Sequence, residues 1–311
     1  MPRSAQAPYL FPAGARLGSD NVVLQARANR HVVNDYAGPL SVKTVLMGEV
    51  RWLIGGRELV VDRTSFLVLN AGERYSMNVD TVSPVETCCA FFAPGFVEQV
   101  AADVTSPLGR ALDAPERDLP ALHYLSALHT DRERALAGHI QNLAPRCRGA
   151  IAPTAFEEDF LLLARELLDY YSQVHDQAAR LPAIRESTRR ELFRRVLLGR
   201  EYIHSHVSGP VSLSAVARAA CLSPFHFHRG FTRALQQTPH AYITNLRLER
   251  ARGMIEAGMP VFEAGLEVGF ASASAFSRSF RSRYGEPPSA VRRKFARSGK
   301  KTKSEPGKLP T

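Results

Sequence analysis

Two arginines, Arg229 and Arg278, occupy the same position in two copies of one short pattern in the last third of the chain. A guanidinium group can donate two hydrogen bonds to the edge of a guanine base, the commonest specific contact between a protein and DNA. The same group can also bind phosphate or form a surface ion pair, and most protein–DNA hydrogen bonds go to the backbone. The residue type therefore points to nucleic acid and leaves base contact and phosphate contact as alternatives.

Each copy begins with a serine suited to cap a helix and continues with phenylalanines at four-residue spacing. The copies read Ser-Pro-Phe-His-Phe-His-Arg-Gly-Phe from Ser223 and Ser-Ala-Ser-Ala-Phe-Ser-Arg-Ser-Phe from Ser272. The phenylalanines predict one buried face on each helix, which leaves the opposite face free to read a groove. The residues on the outward faces are Phe225, His228 and Arg229 in the first copy and Ser274, Ser277 and Arg278 in the second. His226 and His228 do not predict a metal site, because residues two apart on a helix point to different sides.

A short helix and a tight turn are predicted in front of each serine. The first of these helices starts at Ser212 and turns at Cys221, and the second starts at Pro260 and turns at Gly269. Each copy therefore has the order of a helix-turn-helix. A continuous helix predicted over residues 241–257 would fix the two copies rigidly relative to each other.

The charge of the chain is divided unevenly along its length. Residues 176–311 hold 24 Lys and Arg against 10 Asp and Glu, a balance of 24 − 10 = +14, and residues 1–175 hold 16 against 20, a balance of 16 − 20 = −4. Such a division is expected when one domain neutralises phosphates and the other has a different task. A solvated basic surface is the alternative explanation.

The doubled pattern resembles the DNA-binding domain of the AraC/XylS family of bacterial transcription regulators. The resemblance covers roughly residues 190–296 and ends in the signature Gly-Phe-x5-Phe-Ser-Arg-Ser-Phe-x3-Tyr-Gly-x-Pro-Pro-Ser-x2-Arg, from Gly269 to Arg292. It implies binding to double-stranded promoter or operator DNA, with base contacts from the six outward-facing residues named above. Two residues depart from the family pattern, since Cys221 replaces a turn glycine and Gly265 replaces a packing alanine.

Residues 40–93 run as short apolar stretches between turn signals, which is typical of an antiparallel sandwich or barrel. The segment from Trp52 to Met77 resembles a cupin, a small barrel that many regulators of this family use to bind an effector. The resemblance implies a small-molecule pocket lined by Trp52, Arg74, Tyr75 and Met77. Ordinary core and rim positions are the alternative for these four residues.

A metal-dependent cupin enzyme is the competing interpretation of the N-terminal region. Tyr75 and Met77 stand where such enzymes carry two metal-binding histidines, and phenol and thioether groups make poor ligands for a catalytic divalent metal. We therefore expect no metal, no cofactor and no catalytic residue, and the transcription regulator is favoured over the enzyme. Cys88, Cys89, Cys147 and Cys221 show no metal-ligand spacing.

Residues 154–174 place apolar side chains on one broad helical face. The family resemblance implies that helices in this region pair two subunits, so we predict a homodimer through residues 154–174. Packing of this face on its own barrel is the alternative. Residues 119–144 are also predicted to be helical.

These observations predict a two-domain α+β protein. Residues 1–174 form a cupin-like antiparallel β-barrel with helices that binds an effector and dimerises, and residues 175–187 are a linker. Residues 188–296 form an all-α domain of two helix-turn-helix units joined by a helix, and residues 297–311 a disordered basic tail.

The predicted function is sequence-specific regulation of transcription, as an activator controlled by a small molecule, with RNA polymerase as a further candidate partner. A cupin-type enzyme and an effector-independent DNA-binding protein are the alternatives. No run of eighteen apolar residues occurs in the sequence, so we expect a cytoplasmic protein without a membrane partner.

Overall fold

The computed structural model describes residues 6–105, 122–125, 127–129, 135–149, 151–183 and 185–301. Its contacts divide the chain into two compact units, Met1–Arg180 and Leu181–Thr311. In the described residues, the first unit combines strands with three helices and the second is entirely helical. The chain therefore combines helices and a sheet, with the sheet in the N-terminal unit. The boundary between the two units falls within the predicted linker.

The described strands of the first unit form one antiparallel sheet. They are β1 Gln6–Phe11, β2 Val22–Ala37, β3 Ser41–Met47, β4 Val50–Ile54, β5 Arg57–Val61, β6 Phe66–Leu69, β7 Arg74–Phe91 and β8 Leu128–His129. Their order is β1-β2-β7-β3-β6-β8, and the β4–β5 hairpin joins the sheet by pairing β4 with β7. The predicted region of short strands is thus a sheet, whereas its cupin-like closure into a barrel stays a prediction.

A bulge in β2 changes the direction of the side chains that follow it. Val33 pairs with Met77 and Tyr36 pairs with Tyr75, so β2 has one residue more than β7 between these two pairs. Asp35 lies within the bulge at a φ of 45°, in the left-handed region. Bulges redirect side chains next to functional sites, and this one decides which way Tyr36 faces.

Both faces of the sheet are covered. Three helices lie against one face: α1 Phe96–Thr105, α2 Ala135–Arg148 and α3 Pro153–Ala179. The other face encloses a separate apolar cluster that includes Trp52 and Tyr75. Cys88 belongs to the helix-covered face and Cys89 packs with a different cluster, because neighbouring strand residues point to opposite sides.

Helix α3 packs its broad apolar face on its own sheet. Phe160, Leu163 and Leu167 are fully buried there, so the face predicted to pair two subunits is already covered within one chain. The helix continues to Ala179 because no glycine or proline interrupts it before Pro182. Residues 175–179 of the predicted linker are therefore helical.

The helix predicted over residues 119–144 is wrong in its middle part. Leu128–His129 form β8, which pairs with β6 at the sheet edge, and α2 begins at Ala135. Residues 119–121, 126 and 130–134 of this segment lie outside the described residues.

The second unit contains the predicted pair of helix-turn-helix motifs. Its helices are α4 Glu186–His206, α5 Leu213–Ala219, α6 Pro224–Leu235, α7 Pro239–Glu256, α8 Val261–Glu267, α9 Ala273–Tyr284 and α10 Pro288–Lys301. Helices α5 and α6 form the first motif, α8 and α9 form the second, and α7 connects them. The hydroxyls of Ser212, Ser223 and Ser272 accept hydrogen bonds from the backbone N–H three residues later, so the three predicted caps are confirmed.

The C-terminal end differs from the predicted disordered tail. Helix α10 extends to Lys301, and residues 302–311 of the predicted tail lie outside the described residues. Within the described part of the chain, no helix is long and apolar enough to cross a bilayer.

Candidate nucleic-acid interface

Helix α6 has one buried face and one exposed face. Phe227 and Phe231 are fully buried, with ring centroids 5.3 Å apart. On the opposite side Phe225, His228 and Arg229 are exposed, and Phe225 leaves 67% of its surface to solvent. An exposed phenylalanine beside an arginine gives this face both an apolar and a charged contact for a ligand.

Helix α9 repeats this arrangement in the second motif. Phe276 and Phe280 are buried, with centroids 5.6 Å apart, while Ser274 and Arg278 are exposed. Ser277 is half-buried, so it offers a hydroxyl at the edge of the exposed face. The structure thus brings each predicted set of three residues together on one helix.

The turns of the two motifs start in the same way. Cys221 and Gly269 both adopt left-handed conformations, with φ of 51° and 82°. In each motif the next N–H returns to the first helix, from Leu222 to the carbonyl of Ala217 at 2.9 Å and from Phe270 to the carbonyl of Gly265 at 3.0 Å. This hydrogen bond is the Schellman closure of a helix end.

Gly265 is the second departure from the family pattern, and its effect is a close helix contact. A Cβ atom on this residue would lie 3.0 Å from Cδ1 of Phe276. Gly199 on α4 has the same relation to the first motif, since a Cβ there would lie 2.1 Å from Cε2 of Phe227. Each glycine therefore makes room for the first buried phenylalanine of α6 or α9.

Arg247 on α7 connects the two motifs, although nothing in the sequence pattern singled it out. Its guanidinium donates to the carbonyls of Val207 at 2.9 Å and Gly209 at 2.7 Å, which lie between α4 and α5. It also donates to the carbonyl of Gly269 at 2.9 Å, in the turn of the second motif. Burial lowers the pKa of Arg247 from its ordinary value. One side chain therefore ties the loop before the first motif to the turn of the second.

Helices α6 and α9 carry positive charge without acidic neighbours on the same helix. Neither α6 nor α9 contains Asp or Glu. Within the residues that the structure describes, Arg229 and Arg278 form no ion pair, whereas Arg194 and Arg195 on α4 both bind Glu191. The guanidinium groups of α6 and α9 are therefore available to an anionic ligand.

Three of the four residues predicted to bind an effector lie in one apolar cluster, and the fourth, Arg74, lies outside it. Trp52 is buried, Tyr75 is 8% exposed, and Met77 packs half-buried against the same cluster. Arg74 is on the outside, where its guanidinium binds Asp35 through Nε at 2.7 Å and donates to the Asp35 carbonyl at 2.8 Å. This pairing lowers the pKa of Asp35 and holds the bulge of β2 in place.

A buried lysine that sequence reasoning missed lies beside Tyr75. Lys43 on β3 is 2% exposed, and its Nζ donates to the Tyr75 hydroxyl at 3.3 Å. The same Nζ lies 3.7 Å from the centroid of the Phe91 ring. The sequence could have indicated this burial, because Lys43 lies in the apolar strand Ser-Val-Lys-Thr-Val-Leu-Met. The alternation of strand residues puts it on the same face as Val45.

The described residues hold no cluster of three or more His, Cys, Asp or Glu that could bind a metal ion. His226, for example, accepts or donates a hydrogen bond at 2.7 Å with the Ser223 hydroxyl at the start of α6.

Comparison with known proteins identifies the second unit. A family model described as a helix-turn-helix domain matches residues 216–294. The regulatory protein SoxS of Salmonella typhimurium is 30% identical over 96 residues, which are 30% of this chain and 90% of SoxS. The chain belongs to the AraC/XylS family of transcription regulators. The doubled motif of this AraC-family protein is therefore a family domain.

Longer relatives match this AraC-family chain over the same part. The probable transcriptional regulator LumQ of Photobacterium leiognathi is 33% identical over 88 residues, 28% of this chain and 36% of LumQ. The regulator ArgR of Pseudomonas aeruginosa is 30% identical over 87 residues, 28% of this chain and 26% of ArgR. The chain thus spans about a third of the length of these relatives.

Solved structures resemble the chain more loosely. An AraC-type regulator from Chromobacterium violaceum covers 37% of this chain and 96% of its own, at 23% identity and a TM-score of 0.32. ToxT of Vibrio cholerae, solved with a bound unsaturated fatty acid, covers 89% of this chain and 96% of its own, at 14% identity and a TM-score of 0.33.

Proposed function

We propose that this AraC-family protein is a sequence-specific regulator of transcription that reads promoter DNA with α6 and α9. The observation that supports this most strongly is the pair of arginines, Arg229 and Arg278, at matched positions on two capped helices without an acidic neighbour. Each helix buries its phenylalanines and exposes a short polar face, as a helix in a major groove requires.

The proposed mode of binding places the two motifs in successive major-groove segments on one face of the duplex, about 10 bp apart. The guanidinium of each arginine would form a two-pronged hydrogen bond with a guanine. Phe225, His228, Ser274 and Ser277 would contact neighbouring base edges. Because Arg247 joins both motifs, the protein would favour one spacing between two short boxes.

Replacement of the arginines tests this proposal. Genomic fragments retained by the full-length protein would first give its binding site. We expect Arg229→Ala and Arg278→Ala each to lose about 1–3 kcal/mol of binding at one position of that site and to relax the base preference there. Competition binding with single-base variants of the site measures both effects.

The exposed Arg30 in the N-terminal unit, paired with Asp80, provides a matched control, and Arg30→Ala should leave DNA binding unchanged. Equal weakening on specific and random DNA by Arg229→Ala and Arg278→Ala would assign them to phosphate and contradict base reading. Failure of the full-length protein to enrich any fragment would contradict the proposal itself.

We also propose that the N-terminal unit binds a small-molecule effector and thereby changes the population of conformers that can dock both motifs. Activation with contact to RNA polymerase in the bacterial cytoplasm is the proposed outcome. An effector-independent DNA-binding protein is the second candidate. A cavity of about 320 Å³ in the same unit, lined by residues that include Tyr36, Leu40 and Phe92, favours the effector.

Dimerisation is proposed through the side of α3 that the sheet leaves open. Leu161 and Leu162 are 46% and 50% exposed on that side. Sedimentation of the double variant Leu161→Glu, Leu162→Glu should show a monomer where the unchanged protein is a dimer; a monomer in both cases would contradict this contact.

A further inference from the structure

One carboxylate lines the cavity of the N-terminal unit, and no basic side chain lies beside it in the described wall. The cavity has a volume of about 320 Å³, and its wall comes from β2, α1 and the loops before β2, β3, β7 and α1. Glu98, in the first turn of α1, is the only charged residue among the described residues that line it. The charge of this wall is therefore negative.

Glu98 has no cationic partner within the part of the chain that the structure describes. Other glutamates of the same unit do have one, since Glu86 pairs with Arg148 and Glu166 lies 3.1 Å from Nδ1 of His139. Glu98 is half-buried, so solvent screens its charge less than it would on an open surface. A cation that enters the cavity would meet a carboxylate without a competing partner.

The same wall is poor in groups that could bind an anion. The Tyr36 hydroxyl is the one hydrogen-bond donor among the described lining side chains, and two lining residues are prolines, which lack an N–H. The N–H groups of Phe92 and Ala93 already donate to other oxygens of the chain, each at 2.9 Å. The start of α1 favours a negative charge, but Glu98 supplies that charge from the chain itself. The cavity therefore suits a cation better than an anion.

Two aromatic rings line the cavity together with the carboxylate. Phe92 is buried and Tyr36 is 36% exposed, so Phe92 belongs to the inner wall and Tyr36 to the outer one. The Tyr36 ring lies against Gly38, where a Cβ atom would be 2.7 Å from Cε1 of Tyr36, and it meets the Tyr75 ring edge-on at 5.7 Å. The face of an aromatic ring attracts a cation within about 6 Å of its centre. Rings held in place beside an unpaired carboxylate are suited to an organic cation.

We propose that this cavity binds a small organic ammonium ion, with Glu98 as its counter-charge and the rings of Tyr36 and Phe92 around its apolar body. The inference rests on the proposed effector function and names the chemical class of the effector. A single carboxylate matches a single positive charge. The cavity volume lies at the lower end of the range for ligand pockets, which fits a small body.

Calorimetry and thermal unfolding of the full-length protein test this class of ligand. The probes are hexylammonium and cyclohexylammonium at millimolar concentration, with hexanol and cyclohexanol as neutral analogues of similar shape and hexanoate as the anion. We expect the ammonium ions to bind and to raise the unfolding temperature. The alcohols and hexanoate should bind at least about tenfold more weakly, because they cannot form a charged hydrogen bond with Glu98.

Three variants locate the binding site. Glu98→Gln keeps the size of the side chain and removes its charge, so it should bind the ammonium ions roughly 10- to 100-fold more weakly. Tyr36→Leu removes one ring and should weaken their binding about 2- to 10-fold. Glu58→Gln, at an exposed glutamate of β5 that pairs with Arg51, is the matched control and should bind them as the unchanged protein does.

Equal binding of ammonium ions by Glu98→Gln and the unchanged protein would overturn the assignment of Glu98. No response to either ammonium ion, equal binding of ammonium ions and alcohols, or tighter binding of hexanoate would overturn the ammonium class. DNA affinity is then measured with and without hexylammonium at constant ionic strength. Ammonium binding that leaves DNA affinity unchanged would support the site and contradict the proposed effector function, so the two failures can be distinguished.

Discussion

The backbone of Cys221 is in the left-handed conformation. The equivalent residue of the second motif is a glycine, Gly269. The φ of Cys221 is 51°, and its side chain is exposed at the end of α5. A residue with a Cβ atom is disfavoured there by about 1–2 kcal/mol. The cysteine that replaces the usual turn glycine is thus held in a backbone conformation that disfavours it.

We expect Cys221→Gly to stabilise the protein by about 1 kcal/mol, after allowance for the greater freedom of glycine in the unfolded chain. Urea unfolding measures the change, and Cys147→Ala, at a buried cysteine on α2, should act in the opposite direction by leaving a cavity. A destabilised Cys221→Gly would show that the thiol contributes more than the backbone strain costs.

Lys43 should make stability depend on pH in an unusual direction. Its pKa is about 8 in the folded protein and near its ordinary 10.5 in the unfolded chain, so the unfolded chain binds more protons between these values. The Lys43 contribution to the free energy of unfolding should therefore rise with pH from about 8 to 10.5, by up to ~3 kcal/mol if one pKa unit is about 1.4 kcal/mol. Below pH 8 the destabilisation is fully present.

The other titratable groups facing Lys43 are Tyr75 and Cys89, and burial raises the pKa of both. The difference in urea stability between the unchanged protein and Lys43→Met isolates the lysine contribution. A difference that stays constant across this pH range would contradict the lowered pKa.

At the scale of elements, α7 acts as the connector of the two motifs through Arg247. Loss of three hydrogen bonds from one charged donor should cost about 2–4 kcal/mol of stability in Arg247→Met. The variant should also tolerate altered spacing between the two DNA boxes, because the turn of the second motif is no longer tied to the loop before the first. Urea unfolding and binding to sites with shifted boxes measure these effects.

Arg190→Met on α4 is the matched control, since Arg190 forms an exposed pair with Glu186 and should cost less than about 0.5 kcal/mol. If Arg247→Met keeps the same preference for the spacing of the two DNA boxes, helix packing alone fixes the relative position of the two motifs.

The elements differ in how far local sequence determines them. The helix starts at Ser212, Ser223 and Ser272 could be predicted because a cap depends on residues only three positions apart. Strand β8 could not, because Leu128 and His129 become a strand through pairing with distant β6. Arg247 was missed for a similar reason, since its three carbonyl partners are 22 to 40 residues away.

The predicted site residues also differ in whether local sequence determines their position. The exposed faces of α6 and α9 followed from helical periodicity. The N-terminal set included Arg74, which the alternation of β7 places opposite Tyr75 on the outer side, and it omitted Lys43 on a different strand. Sheet topology decides which strands face each other across an interior. The residue pattern of one strand gives no information about that topology.

At the scale of the whole molecule, the uneven charge predicts how DNA binding responds to salt. The basic C-terminal part, +14 over residues 176–311 by 24 − 10, should release about one counterion for each phosphate contact. The logarithm of the binding constant should fall linearly with the logarithm of salt concentration. Titrations on random DNA measure the slope.

Replacement of a phosphate-binding arginine should reduce that slope by about one, whereas a base-reading Arg229 or Arg278 should leave it nearly unchanged. Arg30→Ala again serves as the control. A binding constant independent of salt would contradict the role of the basic surface.

The second motif has one residue more in its turn than the first. Cys221 and Leu222 precede Ser223, whereas Gly269, Phe270 and Ala271 precede Ser272. Both turns nevertheless close with the same backbone hydrogen bond, and both following helices restart their register at the serine. Counted from the serine, the outward residues of α6 and α9 correspond one to one. Transplanting those of one helix onto the other should therefore recode a single box of the proposed operator.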